Sequence, residues 1–164
     1  MQDSCAVDEQ FMQLALDQAQ RARDLGDVPV GAIVVCNGLV IAEACNRTFA
    51  QVDPAGHAEI VALQRAARLQ QSPRLTDCTL YVTLEPCSMC VGAMVHARID
   101  RLVFAAPEPK TGAVDSAFEL ARSPLHNHQF DITAGVLADE SRQLLRDFFA
   151  VRRDRNAKRF SAKS

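Results

Sequence analysis

A chain of 164 residues, 48% hydrophobic and 23% charged, is sized for one domain and can bury a core without covalent staples. Its net charge of −2, its single Tyr and its lack of Trp exclude a uniformly basic nucleic-acid binder and a platform for many stacked bases. No stretch is long and apolar enough to span a bilayer, and residues 1–10 lack the basic start of a secretory signal. We therefore expect a cytoplasmic protein with no membrane partner. In such a setting the six cysteines serve as metal ligands, nucleophiles or small core residues rather than disulfides.

In chain order, Phe11, Leu14, Ala15, Gln18, Ala19 and Ala22 recur at helical spacing and predict a helix over 9–25, with Asp8 as its N-cap and Gly26 as its stop. Val30–Cys36 and Leu39–Ala44 are apolar runs on either side of Asn37-Gly38, a strong hairpin signal. Residues 46–56 read as a loop and 57–69 as a second helix. Thr79–Thr83 reads as a buried strand, which Glu85-Pro86 ends, and Ser88–Ala97 as a third helix. Arg101–Ala105 is a strand, 106–115 a Pro- and Gly-containing loop, 116–121 a short helical pattern and 122–129 a loop. A strand near 130–134 leads to a last helix over 137–156. Alternating strands and helices after an opening hairpin predict an α/β sandwich on a mixed sheet, in a single domain over 1–164 with a basic C-terminal helix and tail from about 142.

Cys87 and Cys90 stand at the start of the third helix in C-x-x-C spacing, so both sulfurs share one face, where the helix N-terminus favours thiolate. His57 begins the second helix, so two helix starts can converge on one cation. Three protein ligands leave zinc a fourth position for water, the arrangement of a catalytic centre with one Zn2+ per chain. Glu59, two residues after His57, is badly placed as a further ligand and well placed to move a proton between that water and a substrate. A redox dithiol would leave His57-Ala58-Glu59 without a purpose. Cys36 and Cys78 read as core residues; Cys5 and Cys45 have no assigned role.

The pattern His57-Ala58-Glu59 followed by Pro86-Cys87-Ser88-Met89-Cys90 resembles the H-x-E…P-C-x-x-C signature of the zinc-dependent cytidine and deoxycytidylate deaminases, an established signature rather than one inferred from this chain. The similarity extends through Val28–Ala32, Asn46, Thr79–Cys87, Gly92–Met94, Lys110–Ala113, Asn127-His128 and Leu137–Glu140 to the bacterial tRNA-specific adenosine deaminases, and covers about residues 9–153. This resemblance implies a three-layer α/β/α sandwich with a mixed five-stranded sheet. It also implies a homodimer on the anticodon stem-loop of a tRNA and hydrolysis of the wobble adenosine to inosine with release of ammonia. His57, Cys87 and Cys90 would hold zinc and Glu59 would shuttle protons. Asn46 would bond the flipped base, with the Ala58 backbone and Pro29 shaping its pocket. Before Lys110-Thr111-Gly112 the family has an Arg-Asp-Ala run, where this chain has Pro107-Glu108-Pro109; Glu108 and Lys110 are the candidate contacts to flanking nucleotides.

From Arg142 to Ser164 there are eight basic residues and two acidic ones in an otherwise acidic chain, a pattern of a phosphate-facing tail or of a solvated helix end. Two other functions remain open at this point. One is deamination of a free base or nucleoside such as guanine or cytosine, through the same zinc site. The other is a non-catalytic zinc-binding RNA module, in which Glu59 would have no role.

Overall fold

The fold is taken from a computed structural model that describes residues 4–162. Helix α1 (Ser4–Asp24) precedes the hairpin β1 (Gly31–Cys36) and β2 (Leu39–Cys45). Helix α2 (Ala58–Gln70), strand β3 (Cys78–Leu84), helix α3 (Ser88–Ala97) and strand β4 (Arg101–Ala106) follow. A single 3-10 turn (Leu120–Arg122), strand β5 (Asp131–Ala134) and helix α4 (Ala138–Ser161) complete the chain. The sheet order is β2-β1-β3-β4-β5. The β1 strand is antiparallel to β2 and β3, and β3, β4 and β5 run parallel, so the sheet is mixed as expected. Asn37 and Gly38 both have positive φ, which the tight β1–β2 turn requires.

Each face of the sheet carries its own core. On one face α2 and α3 bury Ala62, Leu63, Val91 and Met94 against Val34, Leu80, Val82, Leu102 and Phe104. On the other, α1 lays Met12 and Ala15 on Ile33, Val35, Tyr81, Val103 and Ala105, with Leu137 at the entry to α4. The result is the expected three-layer α/β/α sandwich. Gly31 lets α1 approach the sheet closely: a Cβ there would overlap the backbone of Ala15 and Ala19. No helix among the described residues is long and apolar enough to cross a membrane.

Four local expectations are corrected. Asp8 is not an N-cap. The helix begins at Ser4, and Asp8 lies inside it, 4% exposed, facing the sheet. There Arg101 donates to both its carboxylate oxygens, at 2.9 and 2.6 Å, and the Tyr81 hydroxyl donates to Oδ1 at 2.8 Å. The helical pattern at 116–121 is only the turn at 120–122, because the N–H groups of Val114, Asp115 and Ser116 donate to the Glu85 carboxylate instead of to a helix ladder. The last helix continues past Asn156 to Ser161, where Lys158 and Arg159 in its final turn suit the helix dipole. The strands run a residue longer than expected at some ends.

Candidate active site

The N-termini of α2 and α3 point at the same place. His57 and Cys87 are the N-cap residues of these helices, and neither side chain caps its own helix, so both are free to turn toward one another. His57 Nδ1 lies 3.5 Å from Cys87 Sγ and 3.5 Å from Cys90 Sγ, and the two sulfurs are 3.7 Å apart. Tetrahedral zinc, with sulfur at about 2.3 Å and nitrogen at about 2.0–2.1 Å, needs sulfur–sulfur and sulfur–nitrogen separations of about 3.8 and 3.5 Å. The triangle fits that ion, and it is the one His/Cys/acid trio of ligand geometry among the described residues. The hydrogen bond between Cys87 and Cys90 holds the Cys87 thiol down to about 3 against the effect of burial, with His57 assisting. The same bond and burial push the Cys90 thiol up.

Glu59, in the first turn of α2, is 4% exposed. Burial raises its carboxyl to about 7, while its main-chain hydrogen bond and the His57 charge oppose the rise. A carboxyl poised there can both take and give a proton near neutrality.

A cavity of about 170 Å³, room for one heterocyclic base, opens over this cluster. Val28, Val30 and Leu84 supply its apolar walls, His57, Glu59 and Cys87 its reactive end, and Asn46, Thr48, Glu108 and Thr111 its polar rim. Of the residues expected to contact substrate, Asn46 and Glu108 are therefore on the cavity wall. Ala58 is fully buried between His57 and Glu59, Pro29 is buried between the lining residues Val28 and Val30, and Lys110 is exposed on the loop beyond Glu108.

Two buried acids that no sequence motif singled out hold the rim. Asp27 is fully buried. Its Oδ1 accepts from Asn46 Nδ2 at 2.9 Å and from the Val28 N–H at 2.9 Å, and its Oδ2 from the N–H groups of Phe49 and Ala50 at 2.8 and 3.0 Å. Asn46 Nδ2 also donates to Thr48 Oγ1 at 2.9 Å. Since a carboxylate only accepts, flipping the amide would set Asn46 Oδ1 against Asp27. Glu85 does the same for the opposite rim: it accepts from the N–H groups of Glu108, Val114, Asp115 and Ser116 and from the Ser116 hydroxyl. Burial pushes the Glu85 carboxyl up, but these donors outweigh it and hold it below its usual value. Gly112 packs on the same carboxylate, where a Cβ would come within 2.5 Å of Glu85 Cδ, and it pairs with Cys87 in an isolated bridge. Glu108 Oε1 accepts from the Lys110 N–H at 2.9 Å. Asp27 follows the α1 stop and Glu85 precedes Pro86, and neither sequence context tells a buried acid from a solvated one.

The remaining cysteines stand apart from the triangle. Cys36 and Cys78 face each other across β1 and β3, with Cys78 buried and Cys36 half-buried. Burial, then Cys36, push the Cys78 thiol up to about 12. Cys45 is buried at the end of β2, and Cys5 is exposed on α1.

A mixed sheet between two helical layers, with a His/Cys/Cys triangle at two helix N-termini and a buried carboxyl beside it, defines a zinc-dependent hydrolytic deaminase. Residues 6–106 match the family model of the cytidine and deoxycytidylate deaminase zinc-binding region, and the chain belongs to that family. Within it the chain is 48% identical over 148 residues to a tRNA-specific adenosine deaminase of Haemophilus influenzae, covering 90% of this chain and 86% of the relative. A solved structure from work on A-to-I editing by tRNA:A34 deaminases at the wobble position superposes with a TM-score of 0.80 at 42% identity, covering 83% of this chain and 99% of that one. A guanine deaminase of Nitrosomonas europaea is also similar, at 28% identity and a TM-score of 0.74, over 87% of this chain and 84% of that one.

Proposed function

We propose that this protein hydrolyses adenosine to inosine at the wobble position of a tRNA anticodon, with release of ammonia. The observation that carries the reaction class is the His57–Cys87–Cys90 triangle with Glu59 buried beside it. The substrate follows from kinship: the tRNA enzyme of Haemophilus influenzae shares 48% identity over 90% of this chain, against 28% over 87% and 37% over 60% for the guanine deaminases of Nitrosomonas europaea and Bacillus subtilis that represent the free-base alternative. The presence of Glu59 speaks against a non-catalytic zinc module.

In this reading His57, Cys87 and Cys90 hold one zinc, which when bound supplies a nucleophilic water of lowered pKa. Glu59 would take one proton from the attacking water and pass it to the ring nitrogen, then take that oxygen's second proton and deliver it to the departing amine, so that the C–N bond breaks as the carbonyl forms and ammonia leaves. Asn46, held by Asp27, orients the extruded base, and Val28, Val30 and Leu84 exclude bulk water around it. Ala58 contributes backbone, and Pro29 sets the chain path between Val28 and Val30. Glu108 accepts from a ribose 2′-hydroxyl of a flanking nucleotide, with Lys110 near its phosphate. Residues 1–164 act as one deaminase domain, two copies assemble on one anticodon stem-loop, and the protein works in the cytoplasm on its tRNA.

Sequencing the anticodon loops of mixed tRNA after incubation with the zinc-loaded protein tests the reading. The expected result is conversion of wobble adenosine to inosine, with no ammonia released from free guanine or cytosine. Release from a free base without change in tRNA would reverse the assignment.

A further inference from the structure

Phe49 is a large apolar side chain, 58% exposed, on the loop that follows Asn46. Its neighbour Thr48 lines the base cavity, so the loop that carries the ring borders that cavity. One face is covered: the Arg152 guanidinium of α4 lies 4.5 Å from the Phe49 centroid and 5.2 Å from that of Phe148, sandwiched between the two rings. Phe148 is buried, so this stack is rooted in the fold. The outer face of Phe49 is left to solvent.

The loop under the ring is fixed before any ligand arrives. Asp27 Oδ2 holds the N–H groups of Phe49 and Ala50, while its Oδ1 holds Asn46, so one carboxylate sets the spacing between the base cavity and the ring. A fixed ring loses little freedom on binding. The surroundings are cationic: Arg152, Arg155, Lys158 and Arg159 line one continuous surface cleft on α4, and no carboxylate among the described residues pairs with Arg152. An open aromatic face beside unpaired guanidinium groups suits a base and its phosphate, and not an apolar protein surface.

We propose that Phe49, backed by Arg152, is a stacking site for the base of one nucleotide adjacent to the adenosine being deaminated, with Arg155 and Arg159 toward its phosphate. This rests on the polynucleotide reading above. It adds a holding point for the strand next to the extruded base, which would otherwise restack.

The test uses an anticodon stem-loop RNA and steady-state kinetics on the zinc-loaded protein. Phe49→Ala and Phe49→Leu should raise KM by between about 5-fold and 150-fold, the range for one lost base stack, with kcat within about 2-fold of wild type. Phe49→Trp should restore KM, which a purely packing role for the ring would not allow. A stem-loop abasic at the stacked position should be a correspondingly poor substrate for the wild type, and should lose nothing further with Phe49→Ala. The Phe49 variants should leave the salt dependence of binding unchanged, whereas Arg155→Gln should flatten it. An unchanged KM for Phe49→Ala overturns the proposal, as does additivity of the variant with both flanking abasic sites. Loss of self-association in Phe49→Ala would assign the ring to contact between copies and equally overturn it. A wild-type protein inert on the stem-loop refutes the substrate assignment itself, a result distinct from any of these.

Discussion

Glu59 and Asp27 do different things although both are buried acids on the cavity side of the fold. Glu59 is buried beside His57 and the two cysteines, and burial pushes it to about 7, a value suited to proton transfer. Asp27 is surrounded by four N–H donors and is suited to holding geometry. Glu59→Ala should therefore retain zinc and fold and lose turnover by at least about 100-fold, the usual weight of a general acid–base group. Zinc analysis alongside a deamination assay checks it, and residual activity above a few per cent of wild type would disprove the role. Asp27→Asn is isosteric but lets the Asn46 amide sit either way, since an amide can both donate and accept. It should lower kcat/KM roughly 10- to 100-fold, the worth of a buried hydrogen bond to a charged group. The role proposed for Glu59 can be read in the sequence because the His57, Cys87 and Cys90 spacing and a neighbouring carboxylate form a local pattern. The Asp27 role is not, because its partners at 46, 49 and 50 are brought to it only by the β1–β2 hairpin.

At the scale of elements, the hairpin and the two helices that begin at His57 and Cys87 could be read from periodicity and turn residues, since each depends on contacts close in the chain; the order of the strands, set by pairings such as Ala32 with Val82, could not. Neither could Asp8 and the 116–121 segment. The partner of Asp8 is Arg101, 93 positions away, and the backbone of 114–116 is captured by Glu85, about 30 positions away. A polar residue or a short pattern does not reveal a partner so distant in the chain. Asp8 ties α1 to β3 and β4 through Tyr81 and Arg101, and Arg101 continues to Thr133 on β5 at 2.7 Å. Removing the carboxylate leaves the guanidinium without its partner, so Asp8→Ala should cost about 3 kcal/mol in urea unfolding. A loss under about 1 kcal/mol would mean that water replaces the carboxylate at no penalty. In the same way, Glu85→Gln keeps the size of the side chain but turns an amide N–H2 toward donors. Hydrogen exchange at the amides of Val114, Asp115 and Ser116 should accelerate in that variant, with the β-sheet amides unchanged; equal protection in both proteins would show that the loop holds itself.

The whole molecule joins a compact sandwich to a helix that leaves it. Up to Phe148 α4 buries side chains against the body, through Ser141 and Phe148; from residue 153 to 162 every residue is exposed. The sequence showed the charge of this end but not its position, because a run of basic residues looks the same whether it is frayed or folded. The helical structure brings Arg152 over Phe49, on the loop that borders the cavity, so the basic run starts beside the site where chemistry is expected. A cationic helix in that place should increase affinity for a polyanion without altering the reaction. Residues 155–164 carry four basic residues and no acidic one, and removing them leaves Arg152, Phe148 and the whole sandwich intact. Each phosphate contact to single-stranded RNA contributes about 0.7 to the slope of log K against log salt. The truncated protein should therefore bind tRNA more weakly at low salt and lose up to about 3 units of that slope. Its kcat at saturating RNA should stay at the wild-type value, because no group at the zinc site is touched. Fluorescence anisotropy with labelled tRNA across a salt series, paired with single-turnover deamination, separates the two effects. An unchanged slope would make the end of α4 a solvated helix with no role in RNA binding, and a fall in the single-turnover rate at saturation would place it in the reaction rather than in binding.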